Sequence, residues 1–260
     1  MLRKMSAKFF LPLFVALLVA GGPALAASSD EAAGGRVIAY PAGYDTTKEG
    51  ASSYNGIGNV ENSPYFPSLD VYNLQPTATL TILPRYKTYQ QTTEITCGPA
   101  AALTVLHHFG NTSWQEKEIA KIMATKAVVG TDTQGMVAFF KAIGWDVKSS
   151  LTSANKEGVS FAKEEDFKNF VLENLRNNTP IMVENIDWSG HWRVIIGYDT
   201  MGTDTLADDV LIMADSYDTG DHKQDGYVVQ SSEKFYYMWF DAHMLPKGQQ
   251  TQQWLSAKPR

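Results

Sequence analysis

From Pro99 onward the apolar residues first recur at helical spacing. Ala102, Val105, Leu106 and Phe109 share one face, which predicts a helix over 99–109. Pro99 fits its first turn and Gly110 closes it. Ser113 followed by Glu116 reads as a capping box for a second helix, running to about Thr125. A third spans 133–143 and stops at Gly144. A fourth spans 164–177, with Phe167, Phe170, Val171 and Leu175 inward. Then the period changes. Runs at 180–184, 192–198, 210–214 and 226–230 read as strands, and an earlier one lies at 78–83. Helices followed by an antiparallel sheet predict an α+β fold, with a cleft where the two halves meet.

The chain ahead of this body has a different texture. Arg3, Lys4 and Lys8 precede an apolar run over 9–20, and Ala24-Leu25-Ala26 offers a small-x-small cleavage site. Residues 1–26 therefore predict a cleavable export signal, and a periplasmic or secreted protein. The run falls short of the about 20 residues a membrane span needs, so no stable span is expected after cleavage. Residues 27–58 are rich in Gly, Ala, Ser and Asp and predict a flexible leader. The expected globular domain is 59–260, with its motif-bearing core over 82–218. Removing the signal takes the formal charge from −6 to −9. That acidity excludes the basic surface a nucleic-acid partner needs.

Composition sharpens one residue. Cys97 is the only cysteine, so it can form neither an internal disulfide nor a thiolate metal cage. A lone cysteine is more often a small buried hydrophobe. Position argues otherwise, because Cys97 opens the first helix, where free N–H groups and the helix dipole stabilise a negatively charged sulfur. Gly98 beside it would let a substrate approach the backbone. Gln91 lies six residues upstream. Its side-chain amide, with the backbone N–H of Cys97, could hold the oxyanion of an attacked carbonyl. Gln90 competes for this role, and the spacing favours Gln91.

A cysteine nucleophile needs a base that is close in space. The chain has five histidines. His107 and His108 lie about three turns down the nucleophile's own helix. His222 sits in a charged loop and His243 near the C-terminus. His191 opens a strand in which Trp192, Val194, Ile196 and Tyr198 form the core face, so it shares the opposite face with Arg193 and Ile195. If this strand and the next pair about a centre near Thr203, His191 falls opposite Asp215. A carboxylate there would orient the imidazole. Asp218, Asp199 and Asn185 are its rivals.

With these residues placed, the chain resembles the papain-like cysteine peptidases. It is most similar to the bacteriocin-processing, double-glycine-leader peptidase-like family in a standalone, exported form. The likeness rests on Gln91…Thr96-Cys97-Gly98-Pro99-Ala100, on Gly190-His191-Trp192-Arg193-Val194 and on Ala214-Asp215. It implies a helical half carrying the nucleophile, packed on an antiparallel sheet half. It also implies a thiolate–imidazolium pair at Cys97 and His191, with Asp215 orienting and Gln91 completing the oxyanion hole. The expected activity is hydrolysis of a peptide or isopeptide amide through a thioester, on a peptide or protein substrate, by a monomer. No metal or other cofactor is expected. Two alternatives share the fold: a γ-glutamyl-cysteinyl transpeptidase of the phytochelatin synthase type, and a non-catalytic peptide-binding module.

Overall fold

A computed structural model describes residues 35–54, 64–66, 69–221 and 223–260. Residues 1–26, where an export signal is expected, and His222 lie outside the described residues. Helices come first: α1 Cys97–His108, α2 Glu116–Ile122 and α3 Thr133–Ala142, later joined by the short α4 Ser150–Ser153 and by α5 Glu164–Arg176 and α6 Ser232–Tyr237. The strands are β1 Leu80–Ile82, β2 Asp146–Ser149, β3 Ile181–Asn185, β4 His191–Asp199, β5 Val210–Asp215, β6 Tyr227–Ser231 and β7 Gln253–Lys258. They form one antiparallel sheet in the order β2-β7-β3-β4-β5-β6, with β1 on the far end of β4. This is the expected α+β layout: a helical half packed on an antiparallel sheet.

The amphipathic helices form where their apolar stripes predict them. In α5 Phe167, Val171, Leu172 and Leu175 are buried, and acidic Glu164, Glu165 and Asp166 occupy the first turn, where the helix dipole favours them. The start of α2 differs from expectation. Its capping box joins Gln115 and Glu118, not Ser113 and Glu116. Glu116 is buried instead, and accepts hydrogen bonds from the Tyr89 hydroxyl (2.9 Å) and the Thr92 N–H (3.0 Å). It braces the loop that leads to the nucleophile.

The centre of the sheet positions the site. Every residue of β4 from His191 to Tyr198 is buried, so both faces of the strand are covered. The expectation of one core face and one cleft face therefore gives way to a strand packed on both sides. Two further strands are present that the polar sequence concealed. β7 lies between β2 and β3, and its Gln253 is buried by hydrogen bonds from Thr133 (2.6 Å) and Ser150 (3.1 Å).

Part of the expected leader is a docked arm where a free linker was predicted. Residues 35–54 lie along 88–92. The Ile38 N–H bonds the Thr88 carbonyl (2.8 Å), the Tyr44 hydroxyl bonds the Thr92 carbonyl (3.0 Å), and the Ala51 N–H bonds the Gln91 carbonyl (3.1 Å). Gly50 has φ +104°, and a Cβ there would come within 2.5 Å of the Thr92 carbonyl carbon. Only glycine lets the arm lie this close. The small residues that read as disorder are what permit the docking. Among the described residues no helix is long and apolar enough to cross a membrane.

Candidate active site

Cys97 is the first residue of α1 and is 7 % exposed. Gly98 has a packing role. A Cβ on it would meet the Thr131 Cβ at 2.9 Å and the Met136 sulfur at 3.0 Å. The glycine thus seats the N-terminus of α1 against α3 and its preceding loop. The Trp192 indole N–H, donating to the Thr131 carbonyl at 2.8 Å, ties the same loop to β4.

His191 opens β4 and is buried. Its Nε2 lies 2.7 Å from Asp215 Oδ1. The Cys97 side chain is close enough to add to the upward shift of the ring's pKa. An imidazole has two nitrogens, so Nδ1 is the one left for sulfur. The fold thus brings the Cys97, His191 and Asp215 side chains into one buried cluster.

The pairing that brings Asp215 there differs from the hairpin arithmetic. Asp215 is opposite Arg193, not His191, because the register shifts at a bulge between Ile195 and Gly197. The imidazole reaches the carboxylate diagonally, while Arg193 Nε donates to Oδ2 at 2.6 Å. The Tyr217 N–H donates to Oδ1 at 2.8 Å. Arg193 also pairs with Asp187, in the turn before β4, at 2.5 Å. Arg193 was visible in the sequence as the next residue on His191's face, yet its role as a second anchor of Asp215 went unread.

Burial alone would raise the Asp215 pKa. The positive charges of Arg193 and His191, with the hydrogen bonds, outweigh burial and hold it well below the usual carboxylate range. Burial likewise would lower His191. The Asp215 charge and hydrogen bond, together with Cys97, instead raise it to about 9. At neutral pH the site holds an imidazolium between a carboxylate and a sulfur.

The rivals separate cleanly. Asp218 is buried, and that burial, with the nearby Asp215, Asp221 and Asp225 charges, pushes its pKa to about 9. A carboxyl kept neutral cannot stabilise an imidazolium. Asp199 ends β4 and accepts the Met201 N–H at 2.8 Å. Asn185 is His191's register partner, but its amide donates to Asp187 at 3.3 Å.

Gln91 is buried and held on both sides of its amide. Its Nε2 donates to the Thr93 carbonyl (2.8 Å), and its Oε1 accepts from Ser216 Oγ (2.9 Å). Its backbone N–H bonds the Ser216 carbonyl at 2.9 Å. Gln91 is thereby fastened to the residue after Asp215. Gln90 turns elsewhere, accepting from the Tyr40 hydroxyl at 2.8 Å and donating to the Gln224 carbonyl at 3.2 Å. His108 stacks on Tyr86 with ring centroids 5.2 Å apart, and His243 lies against Gln250 at 3.0 Å.

Sequence reasoning missed Trp188. It adopts φ 50°, ψ 35°, and Ser189 follows at φ 79°. Two left-handed residues in a row are costly for side chains with a Cβ, of order 1–3 kcal/mol each. The turn sets the indole edge-on to His191, with centroids 5.2 Å apart, and beside Tyr217. Trp188 covers the imidazole while itself remaining 59 % exposed. The signal was the Asp187-Trp188-Ser189-Gly190 turn, whose bulky aromatic has no place in a plain hairpin loop.

A nucleophile at a helix start, and a histidine and an acid on neighbouring antiparallel strands, are the layout of a papain-like cysteine peptidase. The model of the peptidase C39-like family matches residues 84–242, and the chain belongs to that family. Two solved structures are similar. The peptidase domain of Streptococcus ComA, a bifunctional ABC transporter involved in quorum sensing, is 19 % identical, with a TM-score of 0.44 over 67 % of this chain and 99 % of that one. The peptidase domain of Streptococcus mutans ComA is 16 % identical, with a TM-score of 0.35 over 67 % of this chain and 100 % of that one. No curated protein matches the chain.

Proposed function

We propose that this is an exported cysteine peptidase that hydrolyses a peptide or isopeptide amide through a thioester on Cys97. The observation that carries the reading is the buried cluster of Cys97, His191 and Asp215, with 2.7 Å between the last two. Cys97 Sγ attacks the carbonyl carbon. The oxyanion takes up hydrogen bonds from the Cys97 backbone N–H and the Gln91 amide. Gln91 Nε2 carries two protons, and one is spent on Thr93. The proposal assigns the other to the oxyanion. The His191 imidazolium gives its proton to the leaving amine as the C–N bond breaks. The neutral imidazole then takes a proton from water. The hydroxide adds to the thioester carbon, the C–S bond breaks and the acid product leaves. Asp215 holds the ring in place throughout.

Export is part of the proposal and rests on the basic start, apolar run and cleavage site of residues 1–26. Incubating the protein with a cell-envelope peptide extract tests the reading. Wild type should release new N-termini and show a covalent acyl adduct on Cys97 by mass spectrometry. Cys97→Ala should do neither. Equal cleavage by the two proteins would end the cysteine-peptidase reading.

A further inference from the structure

Beside Cys97 lies a narrow pocket of about 100 Å³. Its flanks are aliphatic, formed by Ile95, Val128, Val129, Met244 and Leu245. Glu184, near the end of β3, lines it as well. Glu184 is only 2 % exposed, and both its carboxyl oxygens are buried without a hydrogen-bond partner among the described residues. Native interiors rarely leave such a group unmatched, and one that is unmatched asks for an explanation. The pocket's Gly190 lies directly against the carboxyl, since a Cβ there would sit 2.6 Å from Oε1, so only a glycine leaves the acid its place at the pocket's wall. No lysine or arginine lines the pocket, while Glu94 does.

The charge around Glu184 has one sign. Burial raises its pKa well above the ordinary carboxylate value, and the charges of Asp241 and Cys97 add to the effect. A neutral guest could fill the space but would leave this field unanswered. A cation brings the counter-charge that lets Glu184 release its proton and ionise, and supplies the missing donors at the same time. A slender aliphatic stem ending in a cation also suits aliphatic flanks with a carboxyl behind them.

Taking the peptidase reading of Cys97 as given, the geometry points to this pocket as a specificity subsite for a lysine or arginine side chain of the peptide substrate. The methylenes lie against Ile95, Val128 and Leu245, and the charged head meets Glu184. The aromatic face of Trp188, at the same pocket, adds a further site for the cation's approach.

The test uses n-butylguanidinium and its neutral isostere n-butylurea as probes, with affinity read from thermal melting curves. Wild type should bind the cation about tenfold or more tighter than the urea, and Glu184→Gln should lose that preference. Glu184→Asp, which keeps the charge but shortens its reach, should keep part of it and serves if the glutamine variant fails to fold. Equal affinity for the two probes in wild type, or a preference that survives in Glu184→Gln, overturns the assignment. Cleavage is read separately, on peptides carrying arginine or citrulline. Cys97-dependent cleavage without preference for arginine removes the subsite and leaves the peptidase. Cation binding that depends on Glu184, without any Cys97-dependent cleavage, removes the peptidase and leaves the cation pocket.

Discussion

Two carboxyl groups lie within one site, equally buried and oppositely treated. Asp215 is 1 % exposed, and both its oxygens are matched by His191, Arg193 and the Tyr217 N–H. Glu184 is 2 % exposed and has no partner among the described residues. Burial penalises both ions alike. Around Asp215 the fold supplies two cations, and the carboxylate stays charged. Around Glu184 it supplies further negative charge, and the group is driven toward its neutral form. Burial therefore does not decide the charge state here; the partners do. The completed cluster has every partner it needs from the chain itself. The incomplete one is complementary to something the chain does not itself provide.

Breaking the complete side should cost the most. Asp215→Asn keeps the shape but leaves Arg193 and His191 short of a counter-charge. It should destabilise the fold by about 3–5 kcal/mol, as for other buried pairs robbed of one partner. It should lower kcat/KM by about 10-fold or more, because His191 loses the negative charge that keeps it an imidazolium. Urea unfolding and peptide kinetics on the same preparation check both. A loss in stability with unchanged kinetics would make Asp215 purely structural.

A pH series of urea melts sharpens the contrast through its sign. The folded His191 pKa is raised from 6.5 to about 9. Its contribution is fully present below pH 6.5 and is lost as pH rises through about 9. That shift corresponds to about 3 kcal/mol. Glu184 also has a raised pKa, but it is an acid. The folded state holds its proton more tightly than the unfolded chain does, so stability falls as pH rises above the ordinary carboxylate range. Glu184→Gln removes that titration. It should match wild type at acid pH and gain about 1 kcal/mol or more near neutrality. His191→Ala should flatten the alkaline limb alone. If Glu184→Gln were destabilising near pH 7, the carboxyl would have a hidden partner and the contrast with Asp215 would fail.

The sequence carried the parts of this molecule whose signals are local. α1, α3 and α5 follow from their apolar stripes and end residues, and the central strands from short apolar runs. Cys97 and His191 were legible because a thiol at a helix start and a histidine at a strand start are positional signals. β2 and β7 were not, because β2 is short and mostly polar, with Asp146 and Lys148 exposed, and β7 buries Gln253 in hydrogen bonds that only the fold creates. Asp215 does meet His191, but through a register other than the expected one, since no composition signal marks the bulge in β4. Glu184 looked like the polar end of an ordinary strand. Its isolation is a property of what surrounds it, and Asp241 is 57 residues away along the chain.

The central claim is that His191 activates Cys97. The direct measurement is the rate of Cys97 alkylation by iodoacetamide at pH 7, in wild type and in His191→Ala, each confirmed folded by its melting curve. The imidazolium beside the sulfur should make wild type react at least about tenfold faster than the variant. Equal rates in the two proteins would contradict the account, because the line from Asp215 through His191 would then end short of the sulfur.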